Sequence, residues 1–445
     1  MEKNYNSKPL IFSLLIILFL TIITFVQGNW EIGNFKLKSI DFFADIKKDT
    51  TVYYEQRLLT LAKQITETKN LVQQDSFLVY NDNSSFLNLK NFWKALKNRD
   101  FEVKQINIAY FGDSEIEGDL ITGDLRNYLQ AEYGGRGVGF LPFASIDAQF
   151  RNSVSFDYDD KLIETFALNK VNKIDDYGIS GAYFIPQKDF QITYNCPQQF
   201  NKSPFIRVFY KIIDTSKPTY LYCNDDVYNI YAINNKLSQL LIQNTKEYKY
   251  FNFKFPVPNL KLYGVSFEAQ NGIYVDNFSL RGYTGMTLNK IPSENLREFK
   301  KNKNYKLIIF QYGMNILNDQ TKDYTFYKNS MKNVIEYFES NFPEADILII
   351  GVGDKGKKIG ENYLTDENIF NLIKAQKDLA IETKSSFINL FELMGGVNSM
   401  TKWVDKGWAA KDYIHISRTG SKHIAKKIYN LIVNYNSVIA QGIQN

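Results

Sequence analysis

The feature that most constrains this 445-residue chain is an apolar run that ends in a glycine, an aspartate and a serine. Residues 106–111 (Ile-Asn-Ile-Ala-Tyr-Phe) are typical of a buried strand, and Gly112-Asp113-Ser114 follows directly. Apolar residues at 116, 120, 121, 125, 128 and 129 then recur at helical spacing, so we predict a helix immediately after Ser114. On such a turn the serine hydroxyl is exposed and its backbone N–H lies at the positive end of the helix. The position suits a nucleophile, although a serine that only caps the helix would give the same pattern.

A second motif, near the carboxyl end, supplies the partners that a nucleophilic serine requires. The chain contains two histidines, His415 and His423, and Asp412 lies three residues before the first of them. A carboxylate at this spacing on a loop can bind one imidazole nitrogen and leave the other free to accept the serine proton. His423 lies one residue away from the apolar stripe of the last helix, as surface side chains do. We therefore predict Ser114 as nucleophile, His415 as general base and Asp412 as the acid that orients it.

Three motifs in this order carry a resemblance to a known family. Gly112-Asp113-Ser114, Gly313-Met314-Asn315 and Asp412-x-x-His415 resemble the ordered Ser, Gly, Asn and His of the SGNH (GDSL-type) hydrolases. The glycine-rich stretch 123–139 and the stretch 392–403 are similar to those of bacterial peptidoglycan and polysaccharide O-acetylesterases, in which a β-rich module interrupts the hydrolase domain. The resemblance spans roughly residues 90–435. It implies a serine esterase whose substrate is an acetylated polysaccharide or peptidoglycan.

Acyl transfer at a serine also needs hydrogen-bond donors for the oxyanion of the tetrahedral intermediate. We assign these donors to the backbone N–H of Ser114, the side-chain amide of Asn315 and a glycine N–H, which we place at Gly282. Gly285 and Gly135 are the alternatives for the glycine. Asn315 could instead be a helix cap after a strand.

Glu115 departs from the family pattern, because many relatives carry leucine, histidine or glutamine at that position. The change leaves the serine–histidine chemistry intact but makes the neighbouring pocket more acidic. Together with Glu117 it predicts a polar, wet pocket in which water attacks the acyl-serine and acetate is released. The alternatives are a polysaccharide O-acetyltransferase, which would use the same residues, and a non-catalytic glycan-binding or envelope-assembly protein.

Other classes of site lack their signatures in this sequence. There is no G-x-S-x-G elbow, and an acid three residues before the histidine does not suit an α/β-hydrolase. Two cysteines and two scattered histidines do not give the spacing of a zinc site, and no glycine-rich phosphate-binding motif follows a strand. The net charge of +5 is spread along the chain without a basic run that would indicate nucleic acid. We expect no metal, no cofactor and no nucleic-acid partner.

The order of strands and helices predicts an α/β fold with an insertion. In residues 89–150 and 276–440 apolar strands alternate with helices, which indicates an SGNH-hydrolase-like parallel sheet flanked by helices. Residues 151–275 instead contain short aromatic and β-branched runs between turn residues, typical of an inserted, jelly-roll-like β-sandwich. We assign the strand expected at 272–280 to this module. Its role is either glycan binding or purely structural shaping of the cleft.

The amino terminus predicts export. Lys3 and Lys8 precede an uncharged apolar run at 9–26, so residues 1–30 are expected to be a signal anchor or a signal peptide, and a transmembrane anchor is favoured. Either one places the rest of the chain outside the cytoplasm, in the bacterial cell envelope. Residues 31–88 are interpreted as a stem and lead-in helix, with a polar-rich helical pattern from Glu55 to Val72. In that compartment Cys196 and Cys223 could form a disulfide or remain buried thiols.

Overall fold

The computed structural model describes residues 30–32, 35–37, 79–80 and 85–442, apart from 100–104, 145–149, 152, 171–174, 196–202, 232–235, 245 and 247. The apolar run 9–26, the helix predicted at 55–72 and Cys196 lie outside these residues. The chain divides into two compact units, Met1–Gln74 and Asp75–Asn445. In the described part of the chain no helix is long and apolar enough to span a membrane.

In the described residues of the first unit, β1 (Trp30–Ile32) and β2 (Phe35–Leu37) form an antiparallel pair. The strands of the second unit, in chain order, are β3 (Val79–Tyr80), β4 (Phe86–Leu87), β5 (Gln105–Gly112), β6 (Gly139–Pro142), β7 (Ser155–Tyr158), β8 (Ile163–Ala167), β9 (Ala182–Pro186), β10 (Phe190–Asn195), β11 (Phe205–Ile212), β12 (Thr219–Cys223), β13 (Asp226–Ile230), β14 (Ser238–Gln243), β15 (Tyr250–Phe255), β16 (Leu260–Glu268), β17 (Gly272–Ser279), β18 (Tyr305–Gln311), β19 (Asp346–Ile350), β20 (Gly356–Ile359), β21 (Asn362–Thr365) and β22 (Ser386–Ile388). The α-helices among its described residues are α1 (Lys90–Asn98), α2 (Thr122–Tyr133), α3 (Ser293–Asn302), α4 (Thr325–Asn341), α5 (Ile369–Glu382), α6 (Leu390–Met394), α7 (Ser399–Asp405) and α8 (Arg418–Gly442).

The central sheet has the order β17-β5-β18-β19-β22-β4-β3. The first five strands are parallel. The short β4 then pairs antiparallel with β22, and β3 pairs antiparallel with β4. Alternate residues of β5 point to opposite faces: Tyr110 belongs to the buried cluster that includes α1, α2 and α8, while Phe111 contacts Phe338 of α4. Helices therefore cover both faces of the sheet, and the predicted α/β fold with a helix-flanked parallel sheet is confirmed.

Residues 139–268, between β5 and β17, form two antiparallel sheets. One has the order β13-β12-β15-β10-β7, and the other β14-β11-β16-β9-β8 with β6 paired to β16. The sheets face each other through aromatic contacts such as Tyr194–Phe267 and Phe251–Phe267, with ring centroids 5.6 and 5.3 Å apart. The second sheet also packs against α3, where the ring of Phe209 lies 4.9 Å from that of Phe299.

The structure corrects the assignment of the strand at 272–280. The sequence pattern predicts that this strand belongs to the β-rich module, but β17 pairs in parallel with β5 and forms the edge of the central sheet. Its composition is as aromatic and β-branched as that of the preceding strands, and only three residues separate it from β16. Its direction is set by packing on α2 and β5, which composition does not reveal.

The prediction that a helix begins directly after Ser114 was also wrong. A turn and a 3-10 segment (Glu117–Asp119) come first, and α2 begins at Thr122. Gly118, Asp119 and Ile121 all have positive φ angles, which interrupt helical geometry. The buried Asp119 accepts a salt bridge from Arg126 of α2 at 2.9 Å, which stabilises this irregular segment. Ser114 is therefore not at the start of a helix, and its backbone N–H does not lie at the positive end of a helix dipole.

Candidate active site

Three predicted site residues follow three adjacent strands of the central sheet. Ser279, Gly112 and Gln311 end β17, β5 and β18, and they lie side by side in the strand register. Gly282, Ser114 and Asn315 come two to four positions after these strand ends. Because parallel strands end at one edge of the sheet, the three residues converge there. They line one cavity of about 510 Å³, together with Glu115 and His415.

The structure brings Ser114, His415 and Asp412 into one hydrogen-bonded chain. Ser114 Oγ lies 3.3 Å from His415 Nε2, and His415 Nδ1 lies 2.8 Å from Asp412 Oδ2. The other oxygen of Asp412 accepts the backbone N–H groups of Ile414 and His415 at 2.9 and 3.0 Å. The carboxylate therefore fixes both the ring and the backbone of its own loop. This is the arrangement of nucleophile, base and orienting acid that acyl transfer requires.

The other histidine lies elsewhere on the surface. His423 is an exposed residue of α8, and its ring packs 3.9 Å from that of Trp408.

Asn315 is held in place by a buried carboxylate. Its Nδ2 donates to Asp113 Oδ2 at 2.7 Å and to the carbonyl of Tyr283 at 3.2 Å. Asp113 also accepts the N–H of Glu115 at 3.0 Å, so one side chain links the serine turn to the Asn315 segment. Sequence reasoning missed this role of Asp113, since nothing in the local pattern shows that the two segments meet.

The three glycine candidates differ in location. Gly282 lines the cavity with a φ of +70°, and open space surrounds the position of a Cβ atom. Gly135 packs against Ile273 at the beginning of β17, whereas the cavity lies where the strands end. Gly285 packs against the ring of Tyr312. Of the three, Gly282 is the one that lies on the cavity wall with Ser114.

Three carboxyl groups on or beside the cavity wall, Asp113, Glu115 and Asp412, have shifted pKa values. Burial raises the pKa of Asp113 to about 6, against the lowering effect of the Glu115 N–H, His415 and Asn315. Burial, and then the charges of Asp113 and Asp412, raise the pKa of Glu115 to about 8. Partial burial alone would raise the pKa of Asp412, but its hydrogen bonds from the His415 ring and two backbone N–H groups lower it. Near neutral pH Asp412 is therefore ionised while Glu115 is mostly protonated.

A further pair that sequence reasoning missed is Arg281 with Glu117. Two guanidinium nitrogens of Arg281 donate to the two carboxylate oxygens of Glu117, at 3.0 and 2.6 Å. Both residues line the cavity, and the exposed guanidinium also lies over the ring of Phe150 at 5.4 Å. The residues are far apart in sequence, and no local signal indicates that they meet.

Two observations concern metals and cysteines. Among the described residues no group of three or more His, Cys, Asp or Glu side chains could hold a metal ion. Cys223 is a free, buried thiol, and burial followed by the charge of Asp226 raises its pKa to about 12.

Comparison with solved structures identifies the fold. A structure described as "Peptidoglycan O-acetylesterase in action" superposes with a TM-score of 0.69 at 20% identity, covering 79% of this chain and 98% of that one. The covered part of this chain is longer than the central-sheet domain, so the match extends into the β-rich stretch. The resemblance to SGNH-type esterases that the sequence motifs predicted is thus confirmed at the level of the fold.

Two further structures give much weaker superpositions. The acetyl xylan esterase AlAXEase (TM-score 0.27, 16% identity) covers 37% of this chain and 82% of its own. A putative GDSL-like lipase from Parabacteroides merdae (TM-score 0.28, 14% identity) covers 36% and 72%. Both scores are too low to support conclusions about this chain. No family model and no curated protein matches the sequence.

Proposed function

We propose that this protein is an exported serine esterase of the SGNH type that removes O-acetyl groups from a cell-wall or surface polysaccharide. The observation that carries the proposal is the hydrogen-bonded chain from Ser114 Oγ through His415 to Asp412, on the wall of a cavity. A serine that only capped a turn would need no imidazole within hydrogen-bond reach. The fold that this chain shares with a peptidoglycan O-acetylesterase supports the same function.

In the proposed mechanism His415 Nε2 accepts the Ser114 proton as Oγ attacks the acetyl carbonyl carbon. The tetrahedral intermediate collapses when His415 returns the proton to the sugar oxygen, which leaves as a hydroxyl. Water, deprotonated by the same imidazole, then attacks the acetyl-serine. The bond between Ser114 Oγ and the acetyl carbon breaks as His415 returns the proton to Oγ, and acetate is released. Asp412 stays ionised throughout, in agreement with its lowered pKa, and stabilises the transient imidazolium.

The oxyanion would be held by donors from three strand ends. The N–H groups of Ser114 and Gly282 belong to residues on the cavity wall, and the Asn315 amide is aligned by Asp113. The same amide nitrogen also donates to the Tyr283 carbonyl, at the longer distance of 3.2 Å. The developing oxyanion would replace this weaker acceptor. Loss of one such donor costs typically about 3–4 kcal/mol of transition-state stabilisation.

The polar cavity favours a hydroxyl-rich substrate and hydrolysis. The Glu115 carboxyl and the Arg281–Glu117 pair line the wall beside the nucleophile, and such groups bind hydroxyls and water rather than an apolar acyl chain. We assign the two β-rich sheets that lie between β5 and β17 to an inserted jelly-roll-like module, with glycan binding as its role. The apolar run 9–26 would anchor the protein to the membrane, with the esterase in the cell envelope.

An O-acetyltransferase is the second candidate, since the same three residues would form the acetyl-serine. The deciding experiment incubates residues 31–445 with O-acetylated peptidoglycan fragments and an excess of deacetylated fragments. Mass analysis should show free acetate as the main product. Predominant acetylation of the added fragments would establish transfer instead, and no change in acetyl content would contradict both candidates.

A further inference from the structure

The loop that carries Asp412 and His415 has an unusual backbone. Tyr413, between the two residues, has a φ of +59°, a backbone conformation that residues other than glycine, asparagine or aspartate rarely adopt. Asp412 and His415 are each about half exposed, with side-chain exposures of 46% and 47%. Interactions from outside the loop must therefore help to maintain its shape.

The hairpin formed by β20 and β21 supplies such interactions. The ring of Tyr363, on β21, stacks on the ring of Tyr413 with centroids 3.7 Å apart and planes only 4° from parallel. At the beginning of β20, the N–H of Gly356 donates to the carbonyl of Tyr413 at 2.8 Å. A Cβ at Gly356 would lie 2.7 Å from the Tyr413 side chain, so the two segments are in close contact. The hairpin thus holds both the ring and the carbonyl of the strained residue.

The hairpin is itself anchored to the core. Thr365 and Asn398 exchange two hydrogen bonds, of 3.0 and 2.7 Å, which connect the end of β21 to the residue preceding α7. The hydroxyl of Thr401 in α7 donates to the carbonyl of Tyr363 at 2.9 Å. The neighbouring Asp354 is buried and accepts the N–H of Met400 at 2.8 Å. These contacts give Tyr363 a fixed position from which it can restrain the loop.

We propose that Tyr363 is a positioning residue that keeps His415 aligned with Ser114, by stacking on Tyr413 and stabilising its left-handed conformation. Tyr363 does not contact the reacting atoms and acts through the loop. The proposal rests on the proposed function, since it concerns the same serine–histidine pair. The contribution comes from the ring, so the phenol oxygen of Tyr363 is dispensable.

The test compares Tyr363→Ala, Tyr363→Phe and a control on the same hairpin. Lys357→Ala removes an exposed ion pair with Asp319 and leaves the tyrosine stack intact. With an aryl acetate as substrate, Tyr363→Ala should lower kcat by at least about tenfold with KM changed less than about twofold, because misalignment affects the chemical step. Tyr363→Phe and Lys357→Ala should stay within about twofold of the unmodified protein.

A double-mutant cycle separates alignment from a general loss of structure. Glycine adopts positive φ without strain, so in a Tyr413→Gly background the loop needs no stacking partner. There, Tyr363→Ala should lower kcat by less than about threefold, and the rate of Ser114 labelling by a fluorophosphonate should follow kcat. A full loss in both backgrounds, or no loss in either, would overturn the proposal. A protein in which Ser114→Ala retains activity would refute the proposed function itself, which is a separate outcome.

Discussion

Replacing Glu115 with glutamine is expected to extend activity to alkaline pH. Glu115 lines the cavity with Ser114, and an ionised carboxylate there would repel the oxyanion of the tetrahedral intermediate. The charges that act on Glu115 are those of Asp113 and Asp412, and the nearby Arg281 is already paired with Glu117. With a pKa of about 8, Glu115 is mostly neutral at pH 7 and mostly ionised at pH 9.

The magnitude follows from this titration. If only the protonated form of Glu115 supports catalysis, kcat/KM should fall about tenfold between pH 7 and pH 9. Glutamine is uncharged at every pH and keeps a donor in the same position, so the Glu115→Gln variant should reach a plateau above pH 7 and lack the alkaline decline.

The assay is the pH profile of kcat/KM on an aryl acetate, corrected for spontaneous hydrolysis, with Glu117→Gln as the matched control. Glu117 lines the same cavity but pairs with Arg281, so its replacement should leave the alkaline decline in place. An alkaline decline that persists in Glu115→Gln, or a level profile to pH 9 in the unmodified protein, would refute the reasoning.

Thermal unfolding gives a second measure of the same ionisation. The folded pKa of Glu115 lies above its ordinary value of 4.5, so its stabilising contribution is complete below pH 4.5 and is lost as pH rises through about 8. At pH 7 the loss is about 3 kcal/mol at most. The advantage of Glu115→Gln in Tm should therefore grow from pH 4.5 to pH 8, and a constant difference would contradict the buried acid.

Three further predictions concern the base, the oxyanion and the glycan. His415→Ala should lower kcat by about three orders of magnitude while His423→Ala stays within a few-fold; an essential His423 would contradict the assignment of the base. Asn315→Ala should lower kcat on the aryl acetate about 100- to 1,000-fold with little change in KM, and a loss confined to KM would exclude an oxyanion role. Replacing the exposed Tyr231 and Tyr250 with serine should weaken turnover of polymeric glycan and spare the aryl acetate, whereas equal losses on both would favour a structural module.

The sequence predicted the parts of the site that depend on short segments. Ser114 at the end of a buried strand and the Asp412–His415 spacing are local patterns, and a parallel sheet brings its strand ends to one edge. The direction of β17 was not predictable, because its composition suits either sheet. The helix start was misplaced because Asp119 and Ile121 adopt positive φ angles that tertiary contacts stabilise.

Other features of the site depend on residues that meet only in the folded chain. Asp113 holds Asn315 across 202 positions of sequence, and Tyr363 stacks on Tyr413 from a separate hairpin. The sequence indicated that Glu115 makes the pocket acidic. It did not indicate that burial and two neighbouring carboxylates keep this acid protonated at neutral pH, because the neighbours come from different segments.

The measurement that tests the central claim most directly is the activity of Ser114→Ala. Residues 31–445 should hydrolyse a small aryl acetate, and the variant should lose about three orders of magnitude of kcat or more, because the acetyl group then has no nucleophile to receive it. An unchanged circular dichroism spectrum and Tm would show that the variant is folded. A folded Ser114→Ala protein that retains most of the activity would contradict the serine mechanism.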